Sequence, residues 1–320
     1  MEILSSGVIA APIIPFESDG AIDWSTLESY IEQVGEAGPR AVAMNMALSE
    51  GASLTIDEQL EVVRRCKQVL AGRCAFLSGV NVGHTAAAIE LGGRMIDAGA
   101  DGLVIFPPVP AFLGPLPVAM IAEYHADIAR TVPVPLIAFQ TNYVAYPAGS
   151  IEALSKIPTV VAIKDASFSV EQTLMNVKEG RTTPRKIGIL TGSDTFILEA
   201  MLMGCDGALI GFAATATAQL VRMHDLVTRG GIGEAYEIWK ALAPIARIGW
   251  SQPLRDYRVR MKYVLMKQGV IPNMVVRKPL PNLSAGDRQA IDAAFAHGFD
   301  HPEFLPAGRA ATAKHAVAHV

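Results

Sequence analysis

Val160-Val161-Ala162-Ile163-Lys164-Asp165-Ala166-Ser167 is the stretch on which the reading of the chain turns. Its four leading residues are apolar without alternation, which predicts a strand covered on both faces, as in a parallel sheet. The run ends on a lysine. Desolvation disfavours the ammonium form and brings the amine toward the range where its neutral form attacks carbonyl groups, so Lys164 reads as a Schiff-base lysine. The competing reading is a lysine that snorkels to solvent or pairs with Asp165.

Seven further apolar runs share this character: Gly7 to Ile14, Ala41 to Asn45, Ala75 to Val80, Gly102 to Phe106, Pro135 to Gln140, Ile187 to Thr191 and Gly207 to Gly211. Segments of helical spacing lie between them, such as Leu27, Tyr30, Ile31 and Val34, then Leu60, Val63 and Leu70. Thr55-Ile56-Asp57-Glu58 and Ser169-Val170-Glu171-Gln172 match capping boxes, and Gly99 and Gly204 stand where left-handed helix ends are expected. Eight strand-helix units predict an α/β chain folded as a (β/α)8 TIM barrel. An open doubly wound sheet is the alternative, but no GxGxxG follows the first run.

Arg229-Gly230-Gly231 breaks the pattern, and three more helical patterns follow near 233–248, 253–269 and 285–297. They predict a C-terminal helical appendage. The expected division is a barrel over 1–228, a helical region over 229–299 and a weakly ordered tail over 300–320.

With 320 residues, 51% hydrophobic content and 18% charge, the chain can bury a large core. A net charge of -4 with no basic cluster gives no footprint for nucleic acid or an anionic membrane. No apolar run approaches the length of a membrane span, and the start at Met1-Glu2-Ile3 has no positive leader, so a cytoplasmic protein is expected. Three cysteines without a CxxC and seven histidines without HxH or HExxH spacing point to neither a disulfide framework nor a metal site.

The lysine segment resembles that of the dihydrodipicolinate synthase and N-acetylneuraminate lyase family. Gly7-Val8-Ile9 to Pro15-Phe16, Glu50-Gly51-Ala52-Ser53-Leu54-Thr55, Thr191-Gly192-Ser193-Asp194, Gly204-Cys205-Asp206-Gly207 and Arg277-Lys278-Pro279-Leu280 resemble other landmarks of that family in order, across about residues 7–290. The resemblance implies an imine between Lys164 and pyruvate or another 2-oxo acid, no metal or organic cofactor, and a homo-oligomer, dimer or tetramer. It also implies a substrate site that includes Ala47, Leu48, Phe139, Gln140, Ser167, Gly192 and Ile210, although Ile210 reads more readily as barrel core.

Departures from the family pattern bear on chemistry. Where the family carries two threonines whose hydroxyls hold the keto-acid carboxylate and pass protons, this chain has Ala47 and Leu48, leaving only backbone N–H groups. Phe139 replaces the tyrosine that relays protons beside the imine, and a phenyl ring does neither. Phe106-Pro107-Pro108-Val109 lacks the tyrosine that many members carry at a subunit contact, and Gln140 to Val144 lacks the arginine expected of a dihydrodipicolinate synthase. Arg40, Arg94 and Arg185 fall on the opposite rim.

The expected pocket is therefore apolar, lined by Ala47, Leu48, Phe106, Val109, Phe139, Ile210 and Phe212. Gln140, Asn142, Ser167 and Ser193 are the nearest polar candidates, and Tyr143 or Tyr146 is placed to return a phenol. The expected activity is a Schiff-base lyase, of aldolase or hydratase-aldolase type, with an apolar partner. The alternatives are a non-catalytic or degenerate keto-acid-binding paralogue, and a cofactor-free isomerase or dehydratase with Glu50 as base.

Overall fold

A computed structural model describes residues 4–298 of the chain. All eight apolar runs are parallel strands closed into one barrel in sequence order: β1 (Gly7–Ala10), β2 (Ala41–Met44), β3 (Ala75–Val80), β4 (Gly102–Ile105), β5 (Leu136–Thr141), β6 (Val160–Ala166), β7 (Gly188–Thr191) and β8 (Gly207–Ile210). β1 ends earlier than its apolar run because Pro12 has no N–H to extend the ladder. The tail expected over 300–320 lies outside the described residues.

Helices α1 (Trp24–Glu36), α2 (Ile56–Leu70), α3 (Thr85–Asp97), α4 (Val118–Thr131), α5 (Ser150–Ser155), α6 (Val170–Gly180), α7 (Ile197–Met203) and α8 (Ala213–Thr228) each follow one strand. The α2 box is complete, with Glu58 N–H donating to Thr55 Oγ1 and Thr55 N–H to Glu58. At α6 only half of the expected box forms. Ser169 accepts from Gln172 N–H, but the Gln172 amide donates to Tyr146 O and Asn176 Oδ1 instead of turning back. Gly99 and Gly204 take the left-handed conformation their positions require, with φ of 115° and 108°.

Strand side chains divide into two apolar layers. Ile9, Ala43, Leu77, Val104, Ile137, Ala162, Leu190 and Leu209 fill the barrel, while Val8, Val42, Phe76, Leu103, Ala138 and Ile210 pack under the helices. The longest ladder is β5 with β6, where Phe139 pairs with Lys164 and Gln140 with Asp165. A register shift at Leu136/Ile137 sets that pairing.

Beyond the barrel, α9 (Ile232–Gly249) packs on α8, and α10 (Tyr257–Gln268) and α11 (Ala285–Gly298) pack on it in turn. α10 is tied to the turn after β2 by a buried ion pair. Lys262 Nζ lies 2.7 Å from Glu50 Oε1, donates to Val275 O and sits 4.1 Å over the Phe16 ring. Burial lowers the Lys262 ammonium to about 8 against the pull of Glu50. Glu50 is thus fully buried and turned toward α10, a structural position that does not favour the reading of it as a catalytic base.

Removing one partner of such a pair leaves a bare buried charge. Lys262→Met is expected to lower unfolding free energy by about 3 to 5 kcal/mol in urea titration. The double variant Glu50→Gln/Lys262→Met should lose less than the two single variants together.

Candidate active site

Lys164 points inward near the C-terminal end of β6, 7% exposed, with its Nζ 4.2 Å from the centre of the Phe139 ring. Phe106 meets that ring edge-on, centroids 4.7 Å apart. Asp194, from the loop between β7 and α7, lines the same cavity, and its Oδ1 accepts the Phe212 N–H at 2.6 Å. Burial lowers the Lys164 ammonium to about 8, an effect moderated by the negative charge of Asp194. The same burial raises the Asp194 carboxyl to about 7, against the Phe212 N–H and the Lys164 charge. Asp165 does not pair with Lys164. Its carboxylate faces the helical layer, where it accepts from Gln140 Nε2 at 2.8 Å and Thr173 Oγ1 at 2.9 Å.

These groups open on a cavity of about 420 Å³ at the C-terminal ends of the strands, where barrels place their chemistry. Of the residues expected there, Lys164, Ala47, Leu48, Phe139 and Gly192 are brought together on its wall, with Phe106, Asn142 and Tyr143. Gly192 is required by the lysine itself. A Cβ there would stand 2.8 Å from Lys164 Cε and 3.0 Å from Lys164 Cγ. At Gly211 a Cβ would stand 2.8 Å from Trp250 and 3.0 Å from Leu48, so both glycines make room for side chains of the wall.

Three expected residues face elsewhere. Gln140 alternates with Phe139 and is fully buried under the helices, donating to Asp165 and accepting from Tyr146 N–H. Ile210 is one residue short of the cavity and packs in the outer core, as does Phe212. Ser167 turns away, its N–H bound to Asp165 and its Oγ to Ser169 N–H. Tyr146 is likewise removed, since its hydroxyl donates to Phe139 O from the helical side. The side chains of Val109 and Phe112 lie outside the described residues. Arg40 lines a separate cleft with Lys67 and Asp101 at the N-terminal ends of the strands, as its place in the sequence suggests.

Several cavity residues escape a strand-by-strand reading. Asp194 belongs to a loop, and Trp250, Tyr257 and Arg258 come from the C-terminal helices. Trp250 and Tyr257 are stacked, centroids 5.5 Å apart and planes 19° apart. Phe168 lines the wall from the left-handed region, φ 55°, an unfavourable conformation for a phenylalanine that is held by its N–H donating to Ser193 Oγ. Among the described residues no group of histidine, cysteine and carboxylate side chains is arranged to hold a metal. No helix among them is long and apolar enough to cross a membrane.

The model of the dihydrodipicolinate synthetase family matches residues 4–297. The chain belongs to this family. Members are pyruvate-dependent lyases that form a Schiff base through a lysine, and by this membership the chain is a lyase. It is 26% identical over 294 residues to a 4-hydroxy-tetrahydrodipicolinate synthase of Cellvibrio japonicus, covering 90% of this chain and 97% of that one. It is also 26% identical over 279 residues to a DapA-like lyase of Pyrococcus abyssi, covering 85% and 91%. Among solved structures, the dihydrodipicolinate synthase of Acinetobacter baumannii complexed with pyruvate superposes with a TM-score of 0.82 at 24% identity over 92% of this chain and 98% of that one, a likeness of fold.

The neutral amine is the nucleophile, so imine formation should rise with pH through about 8, where the Lys164 ammonium loses its proton. Asp194→Asn removes the charge that holds this proton on. Its profile, read as adduct rate against pH, is expected to shift to lower pH. Gly192→Ala should slow adduct formation at every pH by displacing the lysine.

Proposed function

We propose that the chain is a Schiff-base lyase of aldolase or hydratase-aldolase type, acting on pyruvate or another 2-oxo acid through Lys164. The observation that carries this reading is a buried lysine of lowered pKa aimed into a cavity at the C-terminal mouth of the barrel. Lys164 Nζ attacks the C2 carbonyl, water leaves, and the resulting iminium accepts the electron pair released when the substrate carbon-carbon bond breaks. Supporting the acid end, Ala47 and Leu48 line the cavity, and their backbone N–H groups donate to no acceptor among the described residues. The same reading makes the protein a cytoplasmic homo-oligomer, dimer or tetramer.

The preferred partner is apolar, aromatic or branched. Leu48, Phe106, Phe139 and Phe168 offer no hydrogen-bonding side chain to a polyhydroxylated chain, the polar groups of the wall being confined to residues such as Asn81, Thr141, Asn142 and Tyr143, and each hydroxyl left unpaired costs about 1 to 3 kcal/mol. An apolar group gains roughly 25 cal/mol per Å2 buried, with about 0.5 to 1.5 kcal/mol more from ring packing. We infer that condensation of pyruvate with aspartate semialdehyde is not its reaction, because Phe139 supplies no phenol and Gln140 to Val144 no arginine.

Borohydride reduction with a panel of 2-oxo acids, read by intact mass and peptide mapping, is expected to place one adduct on Lys164. No adduct, or equal labelling of Lys164→Ala, sinks the reading. Turnover should favour arylidene-pyruvate or branched adducts over sugar acids, and aspartate semialdehyde condensation should be negligible. An adduct without turnover on any of these would favour the keto-acid-binding alternative. Phe139→Tyr, which restores a phenol at nearly constant volume, is expected to change kcat more than KM.

A further inference from the structure

The cavity wall carries two cations that the imine chemistry leaves unused, Arg255 and Arg258. Its charged side chains are Lys164, Asp194, Arg255 and Arg258, so the mouth is basic in a chain of net charge -4. Arg255 is mostly exposed and already faces Asp256 at 3.3 Å. Arg258 makes no ion pair among the described residues. It is nevertheless held in place from two sides. Its Nε donates to Ala47 O at 2.7 Å, and its guanidinium lies 4.6 Å over the Tyr257 ring, itself stacked on Trp250. Nη1 makes only a long contact with Arg255 O, at 3.5 Å, and Nη2 donates to no acceptor among the described residues, so this edge of the guanidinium is open to a carboxylate.

Its place in the barrel matters as much. Ala47 follows β2, and β2 stands four strands from β6 in the ring of eight, so Arg258 closes the side of the mouth that faces Lys164. The residue it grips is the one whose N–H, with that of Leu48, is unpaired.

We propose that Arg258 is a carboxylate-binding residue, and that with the N–H groups of Ala47 and Leu48 it forms the acid subsite of the cavity. The ligand class is an organic acid with an apolar body: carboxylate on Arg258, body against Phe139, Phe168 and Trp250. The inference deepens the 2-oxo acid reading and rests on it, but its test does not require an imine.

The probes are 3-phenylpropanoate and its uncharged amide, which cannot form an imine, measured by titration calorimetry with the full chain. Wild type is expected to bind the acid about 10- to 100-fold more tightly than the amide, the range of one charge-assisted pair. Arg258→Gln should abolish that preference while leaving amide affinity within about twofold, and Arg258→Lys should restore part of it, a point charge replacing a fork. Equal binding of acid and amide by wild type, a preference that survives in Arg258→Gln, or no binding of either overturns the proposal. If Arg258→Gln does not fold, the wild-type comparison and Arg258→Lys decide. A wild-type acid preference without any borohydride adduct would fail the lyase reading alone, and an adduct without the preference would fail Arg258 alone.

Discussion

An ammonium group kept in an apolar well is the constraint on which the mouth of this barrel depends. Burial alone would drive Lys164 neutral, and a direct ion pair would hold it charged and unreactive. The arrangement lies between these limits. Asp194 acts on the lysine through space while its own Oδ1 is held by the Phe212 N–H, and the Phe139 ring face lies 4.2 Å from Nζ. Gly192 follows from the same constraint, because any side chain there would occupy the volume of the lysine. So does the division of labour between neighbours on β6: Asp165, beside Lys164, is turned outward and saturated by Gln140, Thr173 and the Ser167 N–H.

The Phe139 ring changes what the site can do without emptying it. Its quadrupole stabilises an ammonium, and would stabilise the iminium that replaces it, by the same cation–π attraction. What a phenyl ring cannot do is carry a proton. A chain that keeps the cation-stabilising face and omits the phenol retains the means to form an imine while losing a fixed route for proton transfer. Asp194 lines the same cavity, and burial pushes its carboxyl up to about 7.

The fold was legible because each strand is covered on both faces, which writes eight unbroken apolar runs into the sequence. That same lack of alternation hides which residues face inward. Gln140 and Ile210 each lie one position from a residue that lines the cavity, Thr141 and Gly211, and with period 2 a slip of one residue reverses the face. Pairing Phe139 with Lys164 across the β5–β6 ladder resolves the ambiguity, but that register depends on a shift at Leu136/Ile137 that no local pattern announces. Asp194 closes the Thr191-Gly192-Ser193-Asp194 motif at the end of β7, and a carboxylate at that strand end is the signal the sequence offers. Trp250, Tyr257 and Arg258 gave no comparable sign, because their helices are remote in sequence from the strands they meet.

Those helices, appended to the barrel, also contribute residues to the site. Three polar ties join α10 and the loop that follows it to the segment after β2: Lys262 to Glu50, Arg277 to Glu58, and Arg258 to the carbonyl of Ala47. The first is buried and costly to break, and it holds α10 in register with the turn. The second is partly exposed and draws Arg277 over Phe16, which also lies beneath Lys262. With α10 fixed in this way, its first turn presents Tyr257 and Arg258 to the cavity opposite Lys164, and the stack with Trp250 closes the wall. An arginine held by packing of this kind gives up less conformational freedom on meeting an anion than one free in solvent. The ion pair that stabilises the fold is therefore also what keeps the basic side of the mouth in position.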